Sequence, residues 1–192
     1  MVFADQEDAK IVGVLNYHCP PVKDIPLQPG WGDWRVTYAL PKSRRWQAWI
    51  SVGDRKFSAS RGDFARFLEE NVLDIVQPSG ASILEIAQRL GTNEFLGVTS
   101  ATHLSDGSYE LKTSKSSLVI PAKLTLSLTV FRGDTEAWPV TAYLRCRILD
   151  TGEIMIWFDL CEMLDIEMRA FSAAIEAIAK DTDTSPFLGT IA

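Results

Sequence analysis

Few side chains in this sequence occur in the arrangements that usually carry out chemistry. Histidine, the usual general acid and base near neutral pH, occurs only at His18 and His103. His18 precedes Cys19, but neighbouring side chains of an extended segment point to opposite sides, so adjacency does not make them a catalytic dyad. His103 is far in sequence from any nucleophile-elbow setting. We therefore interpret both histidines as surface residues.

Carboxylates cluster at Asp159, Glu162 and Asp165, where a predicted strand ends. A divalent cation needs several oxygen ligands from separate elements, so one acidic stretch is a weak signal for a metal site. We prefer the interpretation that these residues cap the following helix, a role for which Asp165 is well placed. The motifs GxGxxG, GxxxxGK[ST], HExxH and GxSxG do not occur in the sequence. The sequence predicts no catalytic residue, no metal ligand and no cofactor.

Two groups of arginine and aromatic residues are candidates for a binding surface. Such side chains anchor protein partners and stack on nucleic-acid bases. The first group is Arg44, Arg45, Trp46 and Trp49. The second is Tyr143, Arg145, Arg147 and Trp157. The interpretation that we prefer makes the first group a solvated hairpin turn and has helices cover the second.

Composition limits the kinds of partner. The net charge of -6 argues against nucleic-acid binding over the whole surface, because a protein needs an excess of Lys and Arg to neutralise the phosphates. No apolar run is long enough to cross a bilayer, and the first ten residues are acidic where a signal peptide is basic. We therefore expect a cytoplasmic protein without membrane contact. Cys19, Cys146 and Cys161 lack CxxC spacing, which predicts free thiols, with Cys146 facing the core.

Residues 82–94 look like the first helix and turn of a helix-turn-helix motif. That motif needs a second amphipathic helix whose basic or amide side chains reach the DNA groove. The continuation over residues 95–100 has a glycine and β-branched residues, and no Lys or Arg occurs until Lys112. The lack of a basic second helix argues against DNA recognition by this segment.

Hydrophobic periodicity predicts the strands that position the second group. Apolar residues occupy every second position over residues 124–130, 140–148 and 154–160, and in the first two segments they alternate with polar or small residues, the period of half-buried strands. Asp150, Thr151 and Gly152 form a predicted tight turn between the last two. The segment from Leu118 to Leu160 therefore reads as an antiparallel meander. Two hairpins are also predicted, residues 35–40 with 46–52 and residues 95–103 with 109–113.

Three helices complete the expected fold. The first is capped by Ser60 and carries its apolar stripe from Phe64 to Ile75 before Pro78. The second is capped by Ser82 with Glu85 three residues later. The third has its apolar stripe at Leu164, Met168, Phe171, Ala174, Ile175 and Ile178.

These elements predict an α+β fold. We expect about seven strands, mostly antiparallel in a meander and hairpins, with about three helices packed on the sheet. Residues 1–34 are proline-rich and predict an N-terminal arm or edge segment, followed by a single domain over residues 35–192.

Several collinear segments resemble the YfdQ-like family of phage and prophage proteins. They are residues 38–41 (YALP), 45–49 (RWQAW), 63–71 (DFARFLEEN), 130–133 (VFRG), 144–147 (LRCR) and 186–190 (PFLGT). The resemblance implies a protein of unknown function from a phage genome, often encoded near genes for recombination or early DNA metabolism, and it supplies no catalytic residue. The short N-terminal arm departs from the longer members.

The function that we expect is that of a non-enzymatic phage or prophage accessory protein that binds a macromolecule. A host or phage protein of DNA metabolism or defence is the favoured partner, because acidic anti-defence proteins, of the anti-CRISPR type, can occupy basic nucleic-acid sites. The alternative is an oligomeric factor that binds or anneals single-stranded DNA. A small carboxylate-based hydrolase is the third and weaker alternative.

Overall fold

The computed structural model describes residues 1–19, 26, 28–53, 61–91, 98–149 and 154–191. Contacts divide the chain into two compact units, Met1–Lys42 with Leu164–Ala192, and Ser43–Met163. The first and last segments of the chain thus belong to one unit. The predicted division into an N-terminal arm and one domain stays a prediction. Two compact units defined by contacts do not show which parts of the chain fold independently.

Eleven strands and four helices form within the described ranges. The strands are β1 (Val2–Asp5), β2 (Lys10–Val14), β3 (Arg35–Ala39), β4 (Ile75–Gln77), β5 (Ser100–His103), β6 (Tyr109–Lys112), β7 (Ser117–Ile120), β8 (Lys123–Leu128), β9 (Trp138–Ile148), β10 (Ile154–Leu160) and β11 (Phe187–Leu188). The helices are α1 (Arg44–Gly53), α2 (Arg61–Glu70), α3 (Gly80–Gly91) and α4 (Met163–Thr182). The predicted α+β class is confirmed, with sheets that are mostly antiparallel.

The unit that joins the two ends of the chain contains one sheet with the strand order β11-β1-β2-β3. The pairing of β1 with β11 is parallel and the other two pairings are antiparallel. Two strands, β1 and β2, therefore lie in the segment predicted as an arm. β11 was not anticipated, because two residues show no periodicity.

The unit Ser43–Met163 contains the predicted meander. Its sheet has the order β10-β9-β8-β4, and β9 pairs antiparallel with both β8 and β10. The apolar row of β8, at Leu124, Leu126 and Leu128, is buried as the alternation predicted. The predicted turn at residues 150–152 lies outside the described residues. A second sheet has the order β5-β6-β7 and includes the predicted hairpin of β5 and β6.

Helices α1 and α2 pack against one face of this sheet through aromatic rings. Phe158 of β10 is fully buried, and its ring centroid lies 5.3 Å from that of Trp49 and 5.3 Å from that of Phe64. Because successive side chains of a strand point to opposite faces, Trp157 points to the other side of the sheet. The two faces of β10 are thus a packed core face and an outer face.

The strand predicted over residues 46–52 is wrong, because these residues belong to α1. Trp46, Trp49 and Val52 are the buried residues of this helix, and their spacing of three places them on one helical face. Ser43 caps the helix, since its Oγ accepts a hydrogen bond from the Trp46 backbone N–H at 3.0 Å. The serine before two arginines was the signal for a helix start.

Loss of this cap is expected to destabilise the protein. Ser43 is buried, and its hydroxyl also donates to the Thr129 carbonyl oxygen at 2.5 Å. Ser43→Ala should therefore lower the free energy of unfolding by about 1–2 kcal/mol in urea denaturation. Ser51→Ala is the matched control, because the Ser51 hydroxyl donates to the Ala48 carbonyl on the exposed side of the same helix. Equal unfolding midpoints for the two variants would contradict the capping role.

The first two predicted helices differ from the observed ones at their ends. The stripe that was predicted to run to Ile75 ends with α2 at Glu70, and Ile75 lies in β4 opposite Leu126. The predicted capping box at Ser82 is wrong, because Ser79 caps α3 and its Oγ accepts from the Ser82 N–H at 3.3 Å. The predicted cap Ser60 lies outside the described residues.

The apolar stripe predicted for the last helix is wrong in its first half. Leu164 and Met168 of α4 are exposed, whereas Ile166, Ala170 and Phe171 are buried. The buried face is rotated from the predicted stripe, because a helix this rich in apolar residues offers more than one stripe at helical spacing. None of the helices within the described ranges has both the length and the apolar character needed to cross a bilayer.

Candidate binding surface

The antiparallel register of β9 and β10 brings the second predicted group together. Trp157 lies opposite Arg145, Met155 opposite Arg147, and Asp159 opposite Tyr143. Directly opposed residues share a face of the sheet. We call this surface the outer face; it comprises Tyr143, Arg145, Arg147, Met155, Trp157 and Asp159.

The outer face is open to solvent. Arg147 is exposed, and the other five residues are half-buried. Five of the six, all but Tyr143, line a shallow concavity of about 350 Å³. Helices α1 and α2 do not cover this row, because they pack against β10 through Phe158 on the opposite face.

Arg145 is held in place at the centre of the outer face. Its Nε donates to Asp159 Oδ2 at 3.0 Å, and its guanidinium carbon lies 5.4 Å from the centroid of the Tyr143 ring. The ion pair with Asp159 and a hydrogen bond to Tyr109 raise the pKa of Arg145 above its usual value. Arg145 therefore stays charged and orders its neighbours.

The first predicted group divides between surface and core. Arg44 and Arg45 are exposed and line a concavity of about 560 Å³ in which Leu73 is also exposed. Trp46 and Trp49 are 0% exposed, so they offer no contact area to a partner. The prediction of a surface position depends on a strand over residues 46–52, whereas the helix that forms there buries both rings.

A buried carboxylate explains the position of Trp49. The Trp49 Nε1–H donates to Asp74 Oδ2 at 3.0 Å, and Arg45 Nη1 lies 3.3 Å from Asp74 Oδ1. Buried polar groups need such partners, because an unsatisfied carboxylate is costly. Because Trp49 also contacts Phe158, α1 and the outer face lie on opposite sides of the sheet. The two predicted groups therefore do not form one continuous strip.

Three contributors to the site were missed from the sequence. Met155 and Asp159 lie two residues either side of Trp157, so strand alternation alone was sufficient to place them on the same face. Tyr109 reaches Arg145 from β6, and no local sequence signal indicates that contact. Both histidines are exposed, which confirms their interpretation as surface residues.

Two of the three carboxylates considered for a metal site, Asp159 and Asp165, have structural roles, whereas Glu162 is exposed. Asp159 forms the ion pair with Arg145, and Asp165 lies in the first turn of α4, where a negative charge is favourable. Within the described ranges, no three His, Cys, Asp or Glu side chains are grouped closely enough to hold a metal ion.

Cys146 is a thiol of the core face of β9, opposite Ile156. Burial raises its pKa to about 11, so the thiol is neutral near pH 7. The rise is from a usual value of 9.0. A rise of this size makes the reactive thiolate about 100-fold scarcer than for an ordinary thiol at the same pH. Cys146 is therefore not an activated nucleophile.

This burial predicts slow alkylation of Cys146. In the native protein, iodoacetamide should modify Cys146 at least about 10-fold more slowly than in the protein unfolded with guanidinium, because the loss of thiolate outweighs the higher nucleophilicity of a thiolate with a raised pKa. Peptide mass spectrometry over a time course measures both rates in one preparation. Equal rates in the folded and unfolded protein would contradict the position of this half-buried thiol on the core face.

A family model described as "Uncharacterized conserved protein (DUF2303)" matches residues 1–191. No curated protein and no solved structure matches the chain.

Proposed function

The chain belongs to this family of uncharacterized conserved proteins, and from that premise we propose that it is a non-enzymatic protein that binds another protein through the outer face. The observation that carries the proposal is the half-exposed Trp157 beside Arg145 and the exposed Arg147. Tryptophan, tyrosine and arginine are the residue types that most often dominate protein interfaces, because each buries a large area and also makes polar contacts.

The side chains of the outer face are already fixed in the unbound protein, which supports this function. Arg145 is fixed between Asp159 and the Tyr143 ring before any partner binds. Association costs the entropy of each side chain that must be immobilised, and a prearranged arginine avoids part of that cost. Trp157 has only two side-chain torsions, so it also loses little freedom on binding. The face therefore combines contact area with a low entropic cost.

The net charge of the whole chain favours a basic partner, although the outer face itself carries two arginines and one aspartate. The chain carries a net charge of -6, which attracts a positively charged protein surface over long range. Proteins that bind nucleic acids present such surfaces. We therefore propose that the partner belongs to host DNA metabolism or defence. In the same proposal, which extends the resemblance to YfdQ-like phage proteins, the chain acts as an accessory or anti-defence protein in the host cytoplasm.

Affinity capture with matched variants tests the proposal. The wild-type protein and the double variant Arg147→Ala/Trp157→Ala are immobilised and exposed to the same lysogenic host lysate, and bound proteins are quantified. We expect at least one protein to be enriched on the wild type and lost on the double variant. Val76→Ala, which alters an exposed residue of β4 at the other edge of the sheet, should retain it. Identical capture on all three proteins would contradict the proposal.

One observation favours a second function, the binding of single-stranded DNA. An aromatic ring flanked by arginines, such as Trp157 with Arg145 and Arg147, is the arrangement on which bases stack while phosphates are neutralised. A fluorescence titration with a single-stranded oligonucleotide across a salt series tests this function. Its affinity should fall steeply as salt rises, because bound phosphates release counterions. Absence of binding at low salt would exclude it.

A further inference from the structure

The strand β3 is an edge strand whose five residues are all exposed. Proline and charged side chains commonly protect an edge from further pairing; β3 contains no proline, and its one charged residue, Arg35, lies at its first position. Its register with β2 runs without interruption from Arg35 to Ala39. The edge is therefore regular enough to pair with another strand.

Hydrogen bonds at the two ends of β3 fix the direction of its backbone groups. The Leu15 N–H donates to the Trp34 carbonyl at 2.9 Å, and the Leu40 N–H donates to the Ala9 carbonyl at 2.8 Å. Antiparallel pairs alternate between bonded and non-bonded positions. The backbone groups of the odd-numbered residues Thr37 and Ala39 consequently point away from β2.

The sequence of β3 is complementary to itself in the antiparallel direction. When two copies meet with Thr37 on the two-fold axis, Thr37 faces Thr37 of the second copy, and Val36 faces Tyr38. The outward backbone groups of Thr37 and Ala39 then fall at the hydrogen-bonded positions, and the Val36–Tyr38 pairs fall at the closer, non-bonded positions. Arg35 faces Ala39, so the two arginines do not oppose each other.

Exposed apolar side chains lie along the same edge and would be buried by a pairing strand. Leu15, Trp34, Val36 and Tyr38 are 72%, 67%, 60% and 57% exposed. Leu15 and Trp34 are opposed, and alternation places Val36 and Tyr38 on the face of Trp34. A β-branched residue opposite an aromatic ring is a favourable cross-strand pair, and the two-fold axis produces it twice.

From these observations we propose that two copies of the chain form a dimer by antiparallel pairing of β3 with β3. The interface is isologous, with the same strand contributed by each copy. The two four-stranded sheets join into one continuous sheet across the axis. Each copy offers the other its exposed edge, and so the dimer removes that edge from solvent.

Charge substitutions at Thr37 test the dimer. The Thr37 side chain is exposed on β3, so the isolated subunit should tolerate Thr37→Lys and Thr37→Glu. Each variant places two like charges directly opposite one another at the axis, which opposes pairing. By size-exclusion chromatography with light scattering, we expect a wild-type dimer and monomers for each variant alone. An equimolar mixture of the two variants should recover the dimer, because opposite charges then face each other.

Several results would overturn the proposal. These are a wild-type monomer up to the highest soluble concentration, a Thr37→Lys protein as dimeric as the wild type, or no dimer in the mixture of variants. Gln47→Lys serves as the charge control, since Gln47 is exposed on α1, and it should remain dimeric. Recovery of the dimer only in the mixture also shows that both variants are folded. The experiment uses purified protein alone, so its outcome is independent of partner capture.

Discussion

Replacing Trp157 by Ala is expected to weaken binding of the captured partner by about 30-fold or more, as loss of an interface hot spot does. Trp157 is the largest side chain of the outer face and lines its concavity. The same substitution should change the free energy of unfolding by only about 1 kcal/mol, because the ring is half-exposed. Calorimetric titration gives the dissociation constant, and urea denaturation gives the stability.

The control for Trp157→Ala is Val76→Ala. Val76 is exposed on β4, which lies at the opposite edge of the same sheet. Its replacement should leave the dissociation constant unchanged within about twofold. If Trp157→Ala bound the partner as tightly as Val76→Ala, the outer face would not be the binding surface.

Phe158→Ala is expected to lower the free energy of unfolding by about 3–5 kcal/mol, the range for a large aromatic residue in a core. Phe158 is 0% exposed and its ring lies against those of Trp49, Phe64 and Phe67. Removing it leaves a cavity among three aromatic rings that cannot collapse fully. A loss of this size is a large part of the stability of an ordinary domain, about 5–15 kcal/mol. Chemical denaturation monitored by circular dichroism measures it.

The neighbouring substitutions at 157 and 158 also test the register of β10. A slip of one residue would exchange the core face and the outer face. If Trp157→Ala were the more destabilising substitution of the two, then Trp157 would be the core residue and the site would be placed on the wrong side of the sheet.

Sequence periodicity predicted the meander well because each of its strands is long enough to show alternation. Strands β8, β9 and β10 have six, eleven and seven residues, and each carries a row of apolar side chains. Strands β4 and β11 have only three and two residues, which is too few for a pattern. The pairing of β11 with β1 joins the two ends of the chain, and no local signal predicts it.

Helix α1 shows that strand-favouring composition does not determine the conformation of a segment. Residues 46–52 contain Trp, Ile and Val, which are enriched in strands, and a strand was therefore predicted. The buried residues are Trp46, Trp49 and Val52, with a spacing of three rather than two. Burial in the aromatic core decides the conformation here, and it overrides intrinsic preference.

The site was predictable in part. Alternation along β9 and β10 was sufficient to place Tyr143, Arg145, Arg147 and Trp157 on one face. Whether α1 and α2 cover that face depends on the side of the sheet on which they pack. This is a tertiary property, and the periodicity of the sequence does not predict it. The ion pair of Arg145 with Asp159 depended on the strand register in the same way.

The most direct test of the outer face as a protein-binding surface is photo-crosslinking from position 157. Trp157 is replaced by the photoreactive aromatic residue benzoylphenylalanine, and the protein is irradiated in lysogenic host cells. Val76, replaced in the same way, is the control position. The proposed function predicts a discrete crosslinked protein from position 157 that is missing from position 76. Crosslinks that are the same from both positions, or none from position 157, would contradict it.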